Sequence, residues 1–182
     1  MADGKGGVVV AMSGGVDSSA AAALLLARGY QVRGVTFRLW EDEALSSLGP
    51  APHRSLDYME AAQDAADRLG IEHTVIDLRQ RFFSQVIEPF VEEYMEGRTP
   101  NPCVECNRRV KFPSLLEAAE ETGAAYIATG HYSRVMRDEN GLYLLLRAAN
   151  KRKDQSYVLY VMGQDTLSRC LFPNGDMSKE EV

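Results

Sequence analysis

Apolar residues in this chain fall into short unbroken blocks, and the stretches between them are amphipathic at helical spacing. Val8–Met12 is the first block and reads as a strand, followed by an Ala/Leu-rich helix over Asp17–Arg28 that Gly29 closes. Gln31–Leu39, with Val32, Val35, Phe37 and Leu39, reads as a second strand, and Trp40 opens a turn-rich acidic loop containing Glu41, Asp42, Glu43, Gly49, Pro50 and Pro52. Ser55 caps a predicted helix running to Leu69, and Gly70 stops it. Glu72–Asp77 is the third predicted strand, Thr-Val-Ile being strand formers. From Leu78 to Met95 the residues Phe82, Phe83, Val86, Ile87, Phe90, Val91 and Tyr94 make one apolar stripe, which Pro89 kinks or divides. Gly97 to Pro102 reads as a loop, Pro113–Thr122 as a helix stopped by Gly123, and Tyr126–Thr129 as a fourth strand. Strands alternating with helices at this spacing predict an α/β fold, a parallel sheet of about five strands with helices on both faces.

Past Tyr132 the pattern changes. Ser133–Arg137 and Leu142–Ala148 flank Asp138-Glu139-Asn140-Gly141, a hairpin signal, and Asp165–Cys170 reads as a short helix. The expected division is a main domain over 1–150, with 151–182 the start of a linker or central region. Ser178-Lys179-Glu180-Glu181 is a capping box that announces a helix, yet the sequence stops one residue later, so a truncated chain is expected.

Bulk composition narrows the function classes. The 182 residues carry a net charge of −6, so any nucleic-acid contact has to rest on local basic patches. There is no apolar run of about 18 residues and no apolar core in Met1-Ala2-Asp3-Gly4-Lys5, which predicts no membrane association and a cytoplasmic location. Three cysteines, two of them as Cys103-Val-Glu-Cys106, do not form a secreted disulfide framework.

The chemistry begins where the first strand meets the first helix, at Ala11-Met12-Ser13-Gly14-Gly15-Val16-Asp17-Ser18. A glycine turn running into a helix N-terminus gathers unpaired N–H groups and the positive end of the helix dipole, a ready anion site. No lysine sits in the loop, so it is not the Gly-x-x-x-x-Gly-Lys-Ser/Thr phosphate loop, nor is it Gly-x-Gly-x-x-Gly. Asp17 serves either to hold Mg²⁺ or, more simply, as a helix cap. The Ser-Gly-Gly-x-Asp-Ser form resembles the PP-loop of the ATP pyrophosphatases, which split ATP between its α and β phosphates and adenylate a substrate.

Further motifs stand in order along the chain: Gly97-Arg98-Thr99-Pro100-Asn101-Pro102, Cys106-Asn107, Lys111-Phe112, Ala128-Thr129-Gly130-His131-Tyr132, Lys153-Asp154-Gln155-Ser156-Tyr157 and Leu171-Phe172-Pro173. Together with the loop they resemble the MnmA-type tRNA-specific 2-thiouridylases. The resemblance implies ATP-dependent adenylation of a wobble uridine O2 in tRNA and its replacement by sulfur from a donor protein or sulfide. It assigns ATP contacts to Ala11 through Ser18, Phe37 and Gly130, with Gly130 letting ribose or adenine approach the backbone. It assigns tRNA contacts to Asn101, Pro102 and Cys103 and to Lys153, Asp154 and Gln155. Phe37 is equally readable as a core strand residue. Arg108, Arg109, Lys111, Lys151 and Arg152 are either phosphate contacts or a solvated face.

At the cysteines the chain departs from the usual Asn-Pro-Asp-x-x-Cys: Cys106 matches the catalytic thiol and Cys103 replaces the Asp, while the family's second essential Cys lies beyond this chain. Two chemistries stay open. In one, Cys106 is a low-pKa thiolate handling a persulfide that Cys103 or the later Cys resolves. In the other, Cys103 and Cys106 ligate a [4Fe–4S] cluster with the later Cys as third ligand and the fourth iron open to carry sulfide, the route the Asp-to-Cys exchange favours. Zinc is a third and needs two more ligands. Weak or absent thiolation by the isolated chain is expected. The rival functions are an adenylating enzyme acting on a small molecule and a nucleotide-sensing module.

Overall fold

A computed structural model describes residues 5–40, 55–178 and 181 of the chain. Its centre is the parallel sheet anticipated from the apolar blocks. Strands β1 (Gly7–Ala11), β2 (Gln31–Arg38), β3 (Glu72–Asp77), β4 (Tyr126–Thr129) and β7 (Cys170–Leu171) lie in the order β3-β2-β1-β4-β7, every neighbouring pair parallel. β1 is central, and its three valines are at most 1% exposed because both faces are covered. Val9 faces one core with Phe37, Phe82, Val86, Val110 and Leu115, while Val8 and Val10 face the other with Ala22, Leu25, Ala62 and Ala66.

The second of these cores lies under α1 (Val16–Ala27) and α2 (Ser55–Leu69). The first lies under two longer helical runs, each interrupted by a wide i→i+5 turn. One run is α3 (Arg79–Phe82), a π-turn at Phe83–Ile87, and α4 (Glu88–Met95). Pro89 stands in the first turn of α4, directly after the wide turn, so the proline is accommodated there without dividing the helix. The other run is α5 (Pro102–Cys106), a π-turn at Asn107–Lys111, and α6 (Phe112–Thr122). This run starts eleven positions before the predicted Pro113, since Asn101 Oδ1 accepts from the N–H groups of Cys103 (3.1 Å) and Val104 (3.3 Å) and Pro102 takes the first helical position.

The hairpin forms as predicted, a separate antiparallel pair of β5 (Ser133–Arg137) and β6 (Tyr143–Arg147). Residues expected to begin a linker hold α7 (Gln164–Arg169) and the edge strand β7, whose partner is β4. The acidic loop after Trp40 lies outside the described residues. The helix announced by Ser178 falls on 179–182, of which only Glu181 is described; the Ser178 N–H donates to its carboxylate at 2.7 Å. No helix among the described residues is long and apolar enough to cross a membrane.

Going from β1 the chain fills one side of the sheet with β2 and β3 and returns to the other with β4. The carboxyl ends of β1 and β4 therefore border the crevice in which open α/β sheets bind ligands.

Candidate active site

The loop that leaves β1 is tied by one side chain. Ser18 Oγ accepts from the Ser13 N–H at 3.1 Å and donates to the Gly15 carbonyl at 3.0 Å, so the turn closes on the first turn of α1. Gly14 has φ +70°, and a Cβ there would sit 2.7 Å from both Ala61 Cβ and the Tyr58 carbonyl of α2. The N–H groups of Gly14, Gly15 and Val16 donate to no acceptor among the described residues. Unpaired donors at a helix N-terminus are what an anion would complete.

Beside the loop lies a cavity of about 320 Å³, within the usual size range of small-molecule sites. Ala11, Met12, Ser13, Asp17 and Ser18 line it from the loop side. Phe37, Leu39, Trp40 and Tyr58 line it from β2 and α2, and Thr129, Gly130, His131 and Gln155 from the far side of β4. Lys111, Phe112 and Leu115 enter from the helical run that also carries the cysteines. One wall is thus aromatic and aliphatic, and the other holds the hydroxyls, a carboxylate and an ammonium. Phe37 does both of the things its strand position allowed: it is core, 8% exposed, and it lines the cavity.

Asp17 is anchored directly from two later segments and through a third at one remove. Its Oδ1 accepts from the Tyr132 hydroxyl at 2.8 Å. The Asn174 amide donates to the Asp17 carbonyl at 2.8 Å and to the Gly130 carbonyl at 3.1 Å. Tyr132 is in turn fixed by Gln155, whose Oε1 accepts from the Tyr132 N–H and whose own N–H donates to the Tyr132 carbonyl, both at 2.9 Å. Gly130 lines the cavity, but its missing Cβ makes room for the first turn of α1 rather than for a ligand: a Cβ would meet Asp17 C at 2.7 Å and Ser18 N at 2.8 Å. His131 stacks on Phe112 and shares a 2.8 Å hydrogen bond between Nδ1 and Thr129 Oγ1. Burial, aided by the nearby Lys111 charge, lowers its pKa to about 4, so the ring is neutral near pH 7.

The cysteines depart from expectation. Cys103 is exposed and Cys106 buried, and neither lines the cavity; the π-turn that follows them puts Lys111 and Phe112 there. Cys106 is not a low-pKa thiolate in this fold. Burial pushes its pKa up, the Lys111 charge opposes this, and Cys103 adds to the rise. No group of three or more His, Cys, Asp or Glu side chains among the described residues is placed to hold a metal, so Cys103 and Cys106 are by themselves two ligands, short of the set an iron–sulfur cluster or zinc needs. Mg²⁺ does fit, since it takes one carboxylate together with phosphate oxygens, and Asp17 is the carboxylate of the cavity lining among the described residues.

Among the residues expected to touch tRNA, Asn101 has its side-chain oxygen engaged in capping α5, with Pro102 next to it. Asp154 holds a turn, accepting from the N–H of Ala148 and from the N–H and hydroxyl of Ser156. Its burial favours the neutral acid, but these hydrogen bonds together prevail and keep its pKa below the usual carboxylate value. Lys153 is exposed, while Gln155 joins the cavity wall. Residues 37, 101–106, 111, 130 and 155 therefore gather around one helical run and one cavity, with Lys153 and Asp154 on the adjoining turn. Sequence reading missed Trp40, Tyr58 and Asn174. The sheet's switch point is the signal that locates the first two, and nothing local in the sequence points to Asn174.

Fold and loop together define an α/β domain of the HUP type, and a family model described as "tRNA methyl transferase HUP domain" matches residues 6–182. The chain belongs to this family. It is 53% identical over 175 residues to the tRNA-specific 2-thiouridylase MnmA of Syntrophotalea carbinolica, covering 96% of this chain and 48% of the relative. It is 49% identical over 182 residues to the tRNA-specific 2-thiouridylase MnmA of Carboxydothermus hydrogenoformans, covering 98% and 50%. The chain thus spans about half the length of the curated relatives it matches. Among solved structures, a predicted subunit of tRNA methyltransferase from Methanocaldococcus jannaschii aligns over 96% of this chain and 70% of its own, with a TM-score of 0.49 and 18% identity.

Proposed function

We propose that this chain is the ATP-using catalytic half of a tRNA-uridine 2-sulfurtransferase. The observation that carries the reading is the meeting of two segments at one cavity. The Ser13–Ser18 loop lines it from one side, and the helical run bearing Cys103 and Cys106 lines it from the other through Lys111 and Phe112. Relatives about half identical to this chain bear the 2-thiouridylase name, which supports thiolation over the methyl transfer in the family's description.

In this reading the base packs among Phe37, Leu39 and Trp40, and the phosphate chain of ATP lies along Ser13, Asp17 and Ser18 and reaches the N–H groups of Gly14, Gly15 and Val16, which are outside the cavity lining. Mg²⁺, when bound, draws charge from the phosphates beside Asp17. The uridine O2 attacks the α phosphorus; the O–P bond forms as the bond to the β phosphate breaks, and pyrophosphate leaves with the electron pair. AMP is then the leaving group from C2. The terminal sulfur of a cysteine persulfide, formed by sulfur transfer from the persulfide of a donor protein to a cysteine thiol of this protein, attacks C2, the C2–O bond breaks, and a second thiol attacks the inner persulfide sulfur. The products are a thiocarbonyl and a disulfide, the two electrons having passed to the transferred sulfur. Cys103 and Cys106 are the thiols this chain supplies. Lys153 and the adjoining turn contact the tRNA.

The test is pyrophosphate release from ATP with and without unmodified tRNA, on the whole protein, with 2-thiouridine read by mass spectrometry. Release that requires tRNA and is accompanied by thiolation is the expected result. Release driven by a small-molecule acceptor, or ATP binding with no turnover under any condition, overturns the reading.

A further inference from the structure

The π-turn at Asn107–Lys111 changes which side chains of its helix stand in line. In an α-helix residues three and four apart share a face. An i→i+5 turn closes one residue later and aligns residues five apart, here Cys106 and Lys111. The neighbouring cations are engaged elsewhere: Glu105 pairs with Arg109 at 2.6 Å and reaches Arg108 at 3.9 Å. Lys111 pairs with no carboxylate among the described residues and lines the cavity, where it is the cationic side chain of the lining. The same cavity borders the loop whose Gly14, Gly15 and Val16 N–H groups have no acceptor. Ser13, Asp17 and Ser18 are the loop residues in the lining, with Gly14, Gly15 and Val16 between them in sequence but outside it; a polyanion that meets the half-buried ammonium in the cavity and runs on along the loop completes the unpaired donors as well.

We propose that Lys111 is a catalytic residue for the nucleotide reaction: its ammonium binds the ATP phosphate chain in the cavity beside Ser13–Ser18, and the wide turn holds it there in line with Cys106. The proposal rests on the reading of the cavity as a nucleotide site. Lys111 forms no covalent bond and transfers no proton. As the acceptor oxygen bonds to the α phosphorus and pyrophosphate departs with the electron pair, the ammonium offsets the charge gathering on the leaving group. The loop motif lacks a lysine, and this arrangement supplies one from a distant segment.

The experiment is calorimetric titration of the 182-residue chain with Mg·ATP and, separately, with adenosine, in the native protein, Lys111→Met, Lys111→Arg and the surface control Arg33→Met. Lys111→Met should weaken ATP about tenfold or more and leave adenosine unchanged, Lys111→Arg should restore part of the loss, and Arg33→Met should behave as native. Equal weakening of adenosine and ATP assigns Lys111 a packing role and overturns the proposal. So does native ATP affinity in Lys111→Met. Failure of the native chain to bind ATP overturns the nucleotide reading itself, and the Lys111 role with it.

Discussion

The Tyr132 hydroxyl donates to Asp17 Oδ1 at 2.8 Å across 115 positions of sequence, and Tyr132 is 2% exposed. This bond fixes the orientation of the cavity's carboxylate from β4, the strand beside β1. Tyr132→Phe keeps the ring packing and removes the hydrogen bond. A bond to a charged group is worth about 1.5–3 kcal/mol. The variant should therefore fold, melt a few degrees lower, and need a higher Mg²⁺ concentration for half-maximal ATP binding. A magnesium dependence identical to the native protein would show that Asp17 does not depend on Tyr132.

Gly130 is where two strands' loops touch. Gly130→Ala puts a methyl 2.7–2.8 Å from backbone atoms of Asp17 and Ser18, and backbone cannot step aside as a flexible side chain can. Overpacking of this kind costs about 1–3 kcal/mol. Gly123→Ala meets nothing within 4 Å and suffers only from its φ of +68°, about 1 kcal/mol. Thermal melts should rank native, Gly123→Ala, then Gly130→Ala, with ATP affinity lost only in the last.

His131 makes folding stability depend on pH. Its pKa drops from 6.5 in the unfolded chain to about 4 in the fold. Between those values the unfolded chain binds more protons, so stability is full above pH 6.5 and declines as pH falls toward 4. The shift corresponds to roughly 3 kcal/mol over that window. His73, lowered by burial against the opposing charge of Asp67, acts in the same direction. Melting temperature measured from pH 7.5 to 4.5 should fall in the native protein and fall less in His131→Asn. Parallel curves would mean that His131 is not held neutral by the fold.

The two cysteines should react unequally. Cys103 is exposed, whereas Cys106 is buried with its pKa raised by that burial. Iodoacetamide at pH 7.5 should label Cys103 first, and Cys103→Ser should label at least about tenfold more slowly. Mass spectrometry of the labelled peptides checks this. Comparable labelling of both residues would place Cys106 in solvent.

The parts of the fold legible in the sequence are those with enough residues to show a period. Val8, Val9 and Val10 announce a strand buried on both faces, and the glycines after α1 and α2 and at 123 mark real ends. Cys170–Leu171 does not announce itself, because two residues carry no alternation and their role comes from the open edge of β4. Asn101-Pro102 followed a loop-like Gly97–Pro100 and read as more loop, although Asn before Pro is equally the start of a helix. At the site, the Ser13–Ser18 loop was visible because its chemistry is local. Trp40, Tyr58 and Asn174 were not, since they reach the cavity or Asp17 only through the winding of the sheet.

Asn174 bears on how the protein is made. It ties α1 to β4 over a separation of 157 residues, just past the strand that completes the sheet. A chain leaving the ribosome can form β1, α1 and β2 early, but the clasp over Asp17 cannot close until almost all of these residues have emerged. Until then the half-made sheet keeps a bare edge at β4, since its partner β7 also lies near residue 170. Translation pauses and chaperone capture should therefore matter most in the interval between synthesis of β4 and of residue 174.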